Sequence, residues 1–226
     1  MSFKNWKITA HLSAPMAGDA PYLDALLMNE LACKMGMNAS SKLTRATPLR
    51  GVKMPPIPVA KRTVEGIDLY CISDPILVAH AEYVERQAGR FETDLMTALV
   101  KPKELKKMTV TSGHYKSRYA PVRVRNVGKV VWFARCDRGR TLQLLRKAEA
   151  IGAERSYGYG RVHEWTFEEV AENISLFAKD EDGNCVVMRT MPIECAVNAT
   201  GYKATFGAAS PPYWHPDNFR EIAKPC

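Results

Sequence analysis

The sequence has no run of about 18 apolar residues, so no membrane-spanning helix and no membrane partner is expected. Its start, Met1-Ser2-Phe3-Lys4-Asn5-Trp6-Lys7, lacks an apolar stretch followed by a small-residue cleavage site. That argues against a secretory signal and for a cytoplasmic protein. The six cysteines, Cys33, Cys71, Cys136, Cys185, Cys195 and Cys226, form no C-x-x-C pair. In a chain without a secretory signal they read as reduced thiols, and a zinc ribbon or disulfide scaffold would need closer pairing. His11, His80, His114, His163 and His215 also lack metal-ligand spacing, so neither a metal nor another cofactor is expected. No Walker loop, nucleophile elbow or H-E-x-x-H motif is present, which removes the commonest hydrolase and nucleotide-binding signatures. There is no internal repeat or low-complexity tract. With 46% hydrophobic and 25% charged residues, the 226-residue chain can bury a core, so wholesale disorder is excluded.

What the chain has is positive charge, unevenly placed. The formal net charge is +8. Residues 101–161 hold 16 Lys/Arg and 4 Asp/Glu, a balance of +12, and the rest of the chain is slightly acidic. A basic block in a near-neutral protein is the footprint of a polyanion partner. A solvated basic face gives the same count.

Local patterning supplies the elements. Trp6, Ile8, Ala10 and Leu12 alternate with Lys7, Thr9, His11 and Ser13, which predicts a half-buried strand over 5–13. Pro21 suits a helix start, and Leu23, Leu26, Leu27 and Leu31 keep helical spacing up to Gly36. Residues 38–60 read as irregular because of Pro55-Pro56 and Pro58. Residues 59–65 and 67–72 read as a hairpin turning at Gly66, and 81–92 as a further strand. Residues 121–126 and 129–136 read as a second hairpin, with Val122 and Val124 opposite Arg123 and Arg125. Asp137 is an N-cap for a helix carrying Leu142, Leu145, Ala148 and Ile151 on one face and ending at Gly152. A strand over 161–167 follows, then a turn at 180–184, and an irregular tail from 198 to 226. Collapsed, the order is β-α-β-β-α-β: an α+β, ferredoxin-like (RRM-like) pattern with a long insert and a C-terminal extension. One sheet face would pack the two helices and the other would be open to a ligand. The chain reads as a single domain over 1–226, with the insert at 38–120.

Residues 152–161, Gly-Ala-Glu-Arg-Ser-Tyr-Gly-Tyr-Gly-Arg, are the sharpest signal. Gly152, Gly158 and Gly160 allow close backbone approach to a ligand, and free N–H groups there would meet phosphate oxygens. Arg155 and Arg161 supply forked donors, Ser156 a hydroxyl, and Tyr157 and Tyr159 faces for base stacking. A dinucleotide fingerprint would follow a strand and open a helix; this loop does the reverse. A plain helix C-cap with a tight turn explains Gly152 but not the interleaved Arg and Tyr.

Val131-Trp-Phe-Ala-Arg-Cys-Asp137, the Leu-rich helix, Ile151-Gly152 and Arg155-Ser-Tyr-Gly-Tyr-Gly-Arg-Val162 together resemble the RAMP superfamily of CRISPR-associated proteins. The opening, Ile8-Thr-Ala-His-Leu12 followed by Leu23-Asp-Ala-Leu-Leu27, is similar to the subunit of type IV effector complexes that caps the 5′ handle of the guide RNA. The resemblance spans about residues 5–170. It implies that the Gly-rich loop contacts guide RNA (crRNA). It implies an insert that forms a thumb or meets the duplex flanking the target DNA. It further implies a non-catalytic place in a ribonucleoprotein of antiviral defence, beside backbone and large subunits.

A second cluster, His114, Tyr115, Lys116 and Arg118, mixes cations with rings as single-stranded RNA sites do, although a solvated loop explains it as well. Arg123 and Arg125 are expected to line the open sheet face with Lys7 and His11, and Lys129 to track the RNA backbone. The alternative is a metal-independent endoribonuclease of repeat RNA, for which His11 and the His114/Tyr115/Lys116 trio are the available acid–base groups. A stand-alone RNA-recognition motif is disfavoured because 129–136 lacks its aromatic pattern. Glu164, Glu168, Glu169 and Glu172 read as a solvated face, and Trp214-His215-Pro216 as packing on the domain.

Overall fold

The computed structural model describes residues 2–34, 56–89 and 118–226. In chain order the strands and helices are β1 (Lys4–Leu12), β2 (Met16–Ala17), α1 (Leu23–Lys34), β3 (Lys61–Val64), β4 (Ile67–Tyr70), β5 (Ile76–Leu77), β6 (Ala81–Gly89), β7 (Arg118–Asn126) and β8 (Lys129–Cys136). There follow α2 (Arg138–Leu145), β9 (Val162–Glu169), β10 (Phe177–Lys179), β11 (Cys185–Val187), β12 (Met191–Pro192), β13 (Tyr202–Ala208) and β14 (Phe219–Pro225). The architecture is α+β, built from antiparallel strands and, among the described residues, two α-helices. Among those residues no helix is long and apolar enough to cross a membrane.

The principal sheet has the order β5–β8–β1–β9, antiparallel throughout. Alternation along β1 decides its faces. Ile8, Ala10 and Leu12 join Val130 and Trp132 of β8 in a core completed by Leu23, Leu26 and Leu27 of α1 and Leu144 and Leu145 of α2. Each Leu, Ile or Val among them, fully buried, contributes about 1.5–3 kcal/mol relative to exposure. Trp132 is wholly buried, and its indole N–H donates to the Pro21 carbonyl at 3.3 Å. Asp137 caps α2, accepting the Arg140 N–H at 3.1 Å.

The second core cluster joins Leu69 and Cys71 to Leu176, Val187, Met191, Cys195, Ala196 and Ala223. The β3–β4 hairpin, β10–β11 and the three-stranded sheet β12–β14–β13 lie around it. A buried network ties the two clusters. Arg189 donates to Asp24 of α1 at 2.6 Å, to the Ile72 carbonyl at 3.1 Å and to the Tyr213 hydroxyl at 3.1 Å. Tyr213 in turn donates to Asp24 at 2.9 Å.

The hairpin at Gly66 forms as expected: Glu65 (φ 47°) and Gly66 (φ 77°) both take left-handed backbone, as a tight two-residue hairpin turn requires. The 180–184 turn likewise joins the β10–β11 pair. Four expectations are corrected. β7 and β8 do not form a hairpin with each other. β7 pairs with β6 and β2, β8 with β1 and β5. The connection is pinned by other chains of the fold, because His80 N–H donates to the Asn126 carbonyl at 2.9 Å and Leu12 N–H to the Gly128 carbonyl at 2.9 Å. With β7 in a different sheet, Arg123 and Arg125 do not line the open face beside Lys7 and His11, and Val122 is only half-buried. The second helix stops at Leu145, not Gly152. Residues beyond it pair with the returning loop instead, Val162 N–H on the Glu149 carbonyl at 2.8 Å and Ile151 N–H on the Gly160 carbonyl at 2.9 Å. Ala148 and Ile151 are buried all the same. The tail is not irregular, since β13 and β14 pair along seven positions. His215 packs inside as expected, while Trp214 stays exposed. Gly36 and the first part of the insert lie outside the described residues.

Candidate nucleic-acid interface

The Gly-rich segment is a loop with a fixed neck. Its base is held by Gly160 N–H on the Pro15 carbonyl at 2.7 Å, Ala153 N–H on the Ala17 carbonyl at 2.8 Å, and bridges Ala17↔Ala153 and Ala150↔Arg161. The glycines fit the neck sterically. A Cβ on Gly160 (φ 62°) would lie 1.8 Å from the Ile151 carbonyl oxygen, and one on Gly152 (φ 90°) would lie 2.6 Å from that of Ala17. Gly158 (φ 90°) is different, for a Cβ there meets open space.

Between these anchors the tip turns through a 3-10 segment at Arg155–Tyr157. The N–H groups of Tyr157 and Gly158 donate to the carbonyls of Glu154 and Arg155, at 2.9 and 3.0 Å. With the Ala153 and Gly160 N–H groups also engaged, four amides of the loop are committed within the fold. The loop therefore offers a ligand its side chains more than a backbone cradle. Arg155, Ser156, Tyr157 and Arg161 are exposed, and Tyr157 keeps 68% of its surface. Among the described residues, no ion pair or side-chain hydrogen bond holds Arg155, Tyr157 or Arg161. Tyr159 is occupied: its hydroxyl donates to Glu85 of β6, and that bond raises its pKa above the usual phenol value. The exposed ring with a free hydroxyl on the loop is Tyr157.

The other expected residues fall into separate places. Arg125 is a clamp. Its guanidinium reaches Glu82 at 3.0 Å, Asp19 at 2.9 Å and the Gly18 carbonyl at 3.3 Å, with the side chain only 14% exposed. The Glu82 bond, foremost, raises its pKa. Arg123 is more open, 3.3 Å from the other Glu82 oxygen. His11 and Lys129 stand opposite each other on β1 and β8, where Lys129 is exposed. The His11 ring meets the Thr166 hydroxyl at 3.0 Å and lies 5.8 Å from the His163 ring. Lys7 pairs with Glu168 at 2.9 Å, which lowers the Glu168 pKa, so charge on this sheet face is partly compensated. Arg118 opens β7, whereas His114, Tyr115 and Lys116 lie outside the described residues.

Sequence reasoning passed over His163, which alternation marked only as a strand position, and Glu82 and Glu85, whose link to the basic residues is purely spatial. It also missed the cationic C-terminal strands. The alternation Tyr202-Lys-Ala-Thr-Phe carried that signal and was hidden by the Gly and Pro around it.

No curated protein matches this chain. The family model for CRISPR type IV associated protein Csf3 matches residues 73–225, a stretch that takes in the whole glycine-rich loop, the β6–β7 ladder and the C-terminal strands. The chain thus belongs to the Csf3 family of CRISPR type IV associated proteins.

Proposed function

We propose that this protein is a non-catalytic RNA-binding subunit of a type IV CRISPR ribonucleoprotein, holding the 5′ handle of the crRNA and capping the complex against its backbone and large subunits. The same reading puts it near the DNA motif that flanks the target, with no residue assigned to that contact. One observation carries the proposal: a loop with a rigid neck displays Arg155 and Tyr157 unpaired at its tip and the Arg161 side chain unpaired at its base. Cations for phosphate beside a ring for a base are the minimum a single strand needs. The fold supports it. Numbered in chain order, β1, β5, β8 and β9 are the first to fourth strands of the sheet, and across it they stand fourth, first, third, second, with α1 and α2 packed on one face. That strand order is the one expected of a ferredoxin-like RAMP domain, with β5 in the place of a shortened second strand.

The test is titration of fluorescent repeat RNA. Arg155→Ala with Arg161→Ala should weaken binding about tenfold at physiological salt, the worth of two lost phosphate contacts, with little change in melting temperature. Lost stability with unchanged RNA affinity would overturn the proposal. The alternative, metal-independent cleavage, has one observation in its favour, the His11–His163 pair. One ring would take the 2′-hydroxyl proton as that oxygen attacks phosphorus, and the other would protonate the departing 5′-oxygen. RNA fragments formed in EDTA and lost on His11→Ala would replace the binding reading by the nuclease one.

A further inference from the structure

Lys203 of β13 and Lys224 of β14 stand directly opposite each other in the ladder. Like charges in that position destabilise a strand pair. Both side chains are exposed, and among the described residues neither has an acidic partner. Thr205, Gly207 and Ile222 continue the same face. They floor a groove of about 610 Å³ whose wall is Tyr22 and Tyr213. The floor is kept low by Gly207, where a Cβ would come within 2.9 Å of Ile222 Cδ1.

The wall is rigid. The two tyrosine rings stack at 4.3 Å and 23°. Their hydroxyls are fixed elsewhere, Tyr22 on Thr190 at 3.3 Å and Tyr213 on Asp24 at 2.9 Å. The groove is also tied to the glycine-rich loop by a short piece of chain. Ala17 bridges Ala153 at the loop neck, and Tyr22 follows five residues later, at most about 18 Å away even if fully extended.

We propose that this groove is a second contact for the RNA strand held by the loop, taking phosphodiester charge on Lys203 and Lys224 against the Tyr22–Tyr213 wall. The inference rests on the RNA-binding reading above. Two unneutralised cations facing ordered rings match the pattern of single-strand grooves. An acidic protein segment would use the cations and leave the rings without purpose.

The experiment uses the full chain and a single-stranded RNA oligonucleotide. Lys203→Gln with Lys224→Gln should lower affinity about tenfold at physiological salt, and should reduce the slope of log K against log salt by about 1.4, two contacts at about 0.7 each. Relief of the like-charge pair should raise the melting temperature of the free protein by about 1–3 °C. Lys179→Gln, on the β10–β11 hairpin, should change neither affinity nor slope. Unchanged affinity and slope in the double variant, while Arg155→Ala with Arg161→Ala still weakens binding, would overturn the groove alone. Absence of RNA binding by the unaltered protein would overturn both readings. A polyglutamate peptide bound by the unaltered protein and lost in the lysine variant, with RNA affinity intact, would assign the groove to an acidic protein and likewise overturn it.

Discussion

Asp74 shows how much one buried carboxyl can govern. It accepts the Thr190 N–H at 2.8 Å and the Thr190 hydroxyl at 2.5 Å. Burial raises its pKa, outweighing those two bonds and the charge of Arg189, which pull it down. A folded-state pKa above the unfolded one means that the native protein holds this proton more tightly. The associated stability is complete below the ordinary aspartate value of about 3.9 and is lost as pH rises through the folded value. Asp74→Asn keeps an acceptor for Thr190 and removes the titration. Its melting temperature relative to the parent should therefore climb as pH rises above about 4. A difference that stays flat, or shrinks with pH, would contradict the burial argument. Nothing in the sequence marks Asp74, because Thr190 is 116 positions away.

At the scale of elements, the loop neck makes the sharpest claim. Gly160→Ala drives a Cβ into the Ile151 carbonyl at a positive φ, and should cost about 2–4 kcal/mol in urea unfolding. Gly158→Ala shares the backbone strain but meets open space, so about 1 kcal/mol is expected. Equal losses would mean that the neck is not sterically closed. The elements that the sequence made legible are those fixed by neighbours along the chain: β1 from its alternation, the Gly66 turn from its glycine, and α2 from Asp137. The parting of β7 from β8 was not legible, since it depends on carbonyls claimed by His80 and Leu12. The far end of α2 was lost to a competition of the same kind, because Ala148 and Ile151 keep helical spacing yet are held by the returning loop. In β13 no position is buried, and in β14 only Ile222 and the small Ala223 are, too little hydrophobic contrast to announce a strand. The candidate site was half-visible. Glycines and arginines announced the loop, while Glu82 and Glu85, which decide that Arg125 and Tyr159 are engaged and Tyr157 is free, are remote in sequence.

For the molecule as a whole, the Asp24–Arg189 pair is what the two cores share. Arg189 is 1% exposed and Asp24 fully buried. A buried pair of this sort adds little net stability over well-packed apolar residues, but removing one partner strands a charge. Asp24→Ala should cost about 3–5 kcal/mol in chemical unfolding, and pairing Asp24→Leu with Arg189→Met should cost markedly less. If the paired change proved as damaging as the single one, the network would be acting through its full hydrogen-bond geometry and not through charge balance. Arg189 Nε has no hydrogen-bond partner among the described residues, consistent with a group placed for Asp24 and Tyr213 first.

The β6–β7 ladder and the glycine-rich loop meet at Glu85, which receives the Tyr159 hydroxyl. A displacement of the ladder would thereby bear on the segment that displays Arg155 and Tyr157. Linkage works in both directions, so any body that leans on the ladder and any strand gripped by the tip must alter each other's affinity by one common factor. On the proposed function, assembly and RNA loading would then be two faces of one equilibrium, with a phenol–carboxylate contact as its pivot.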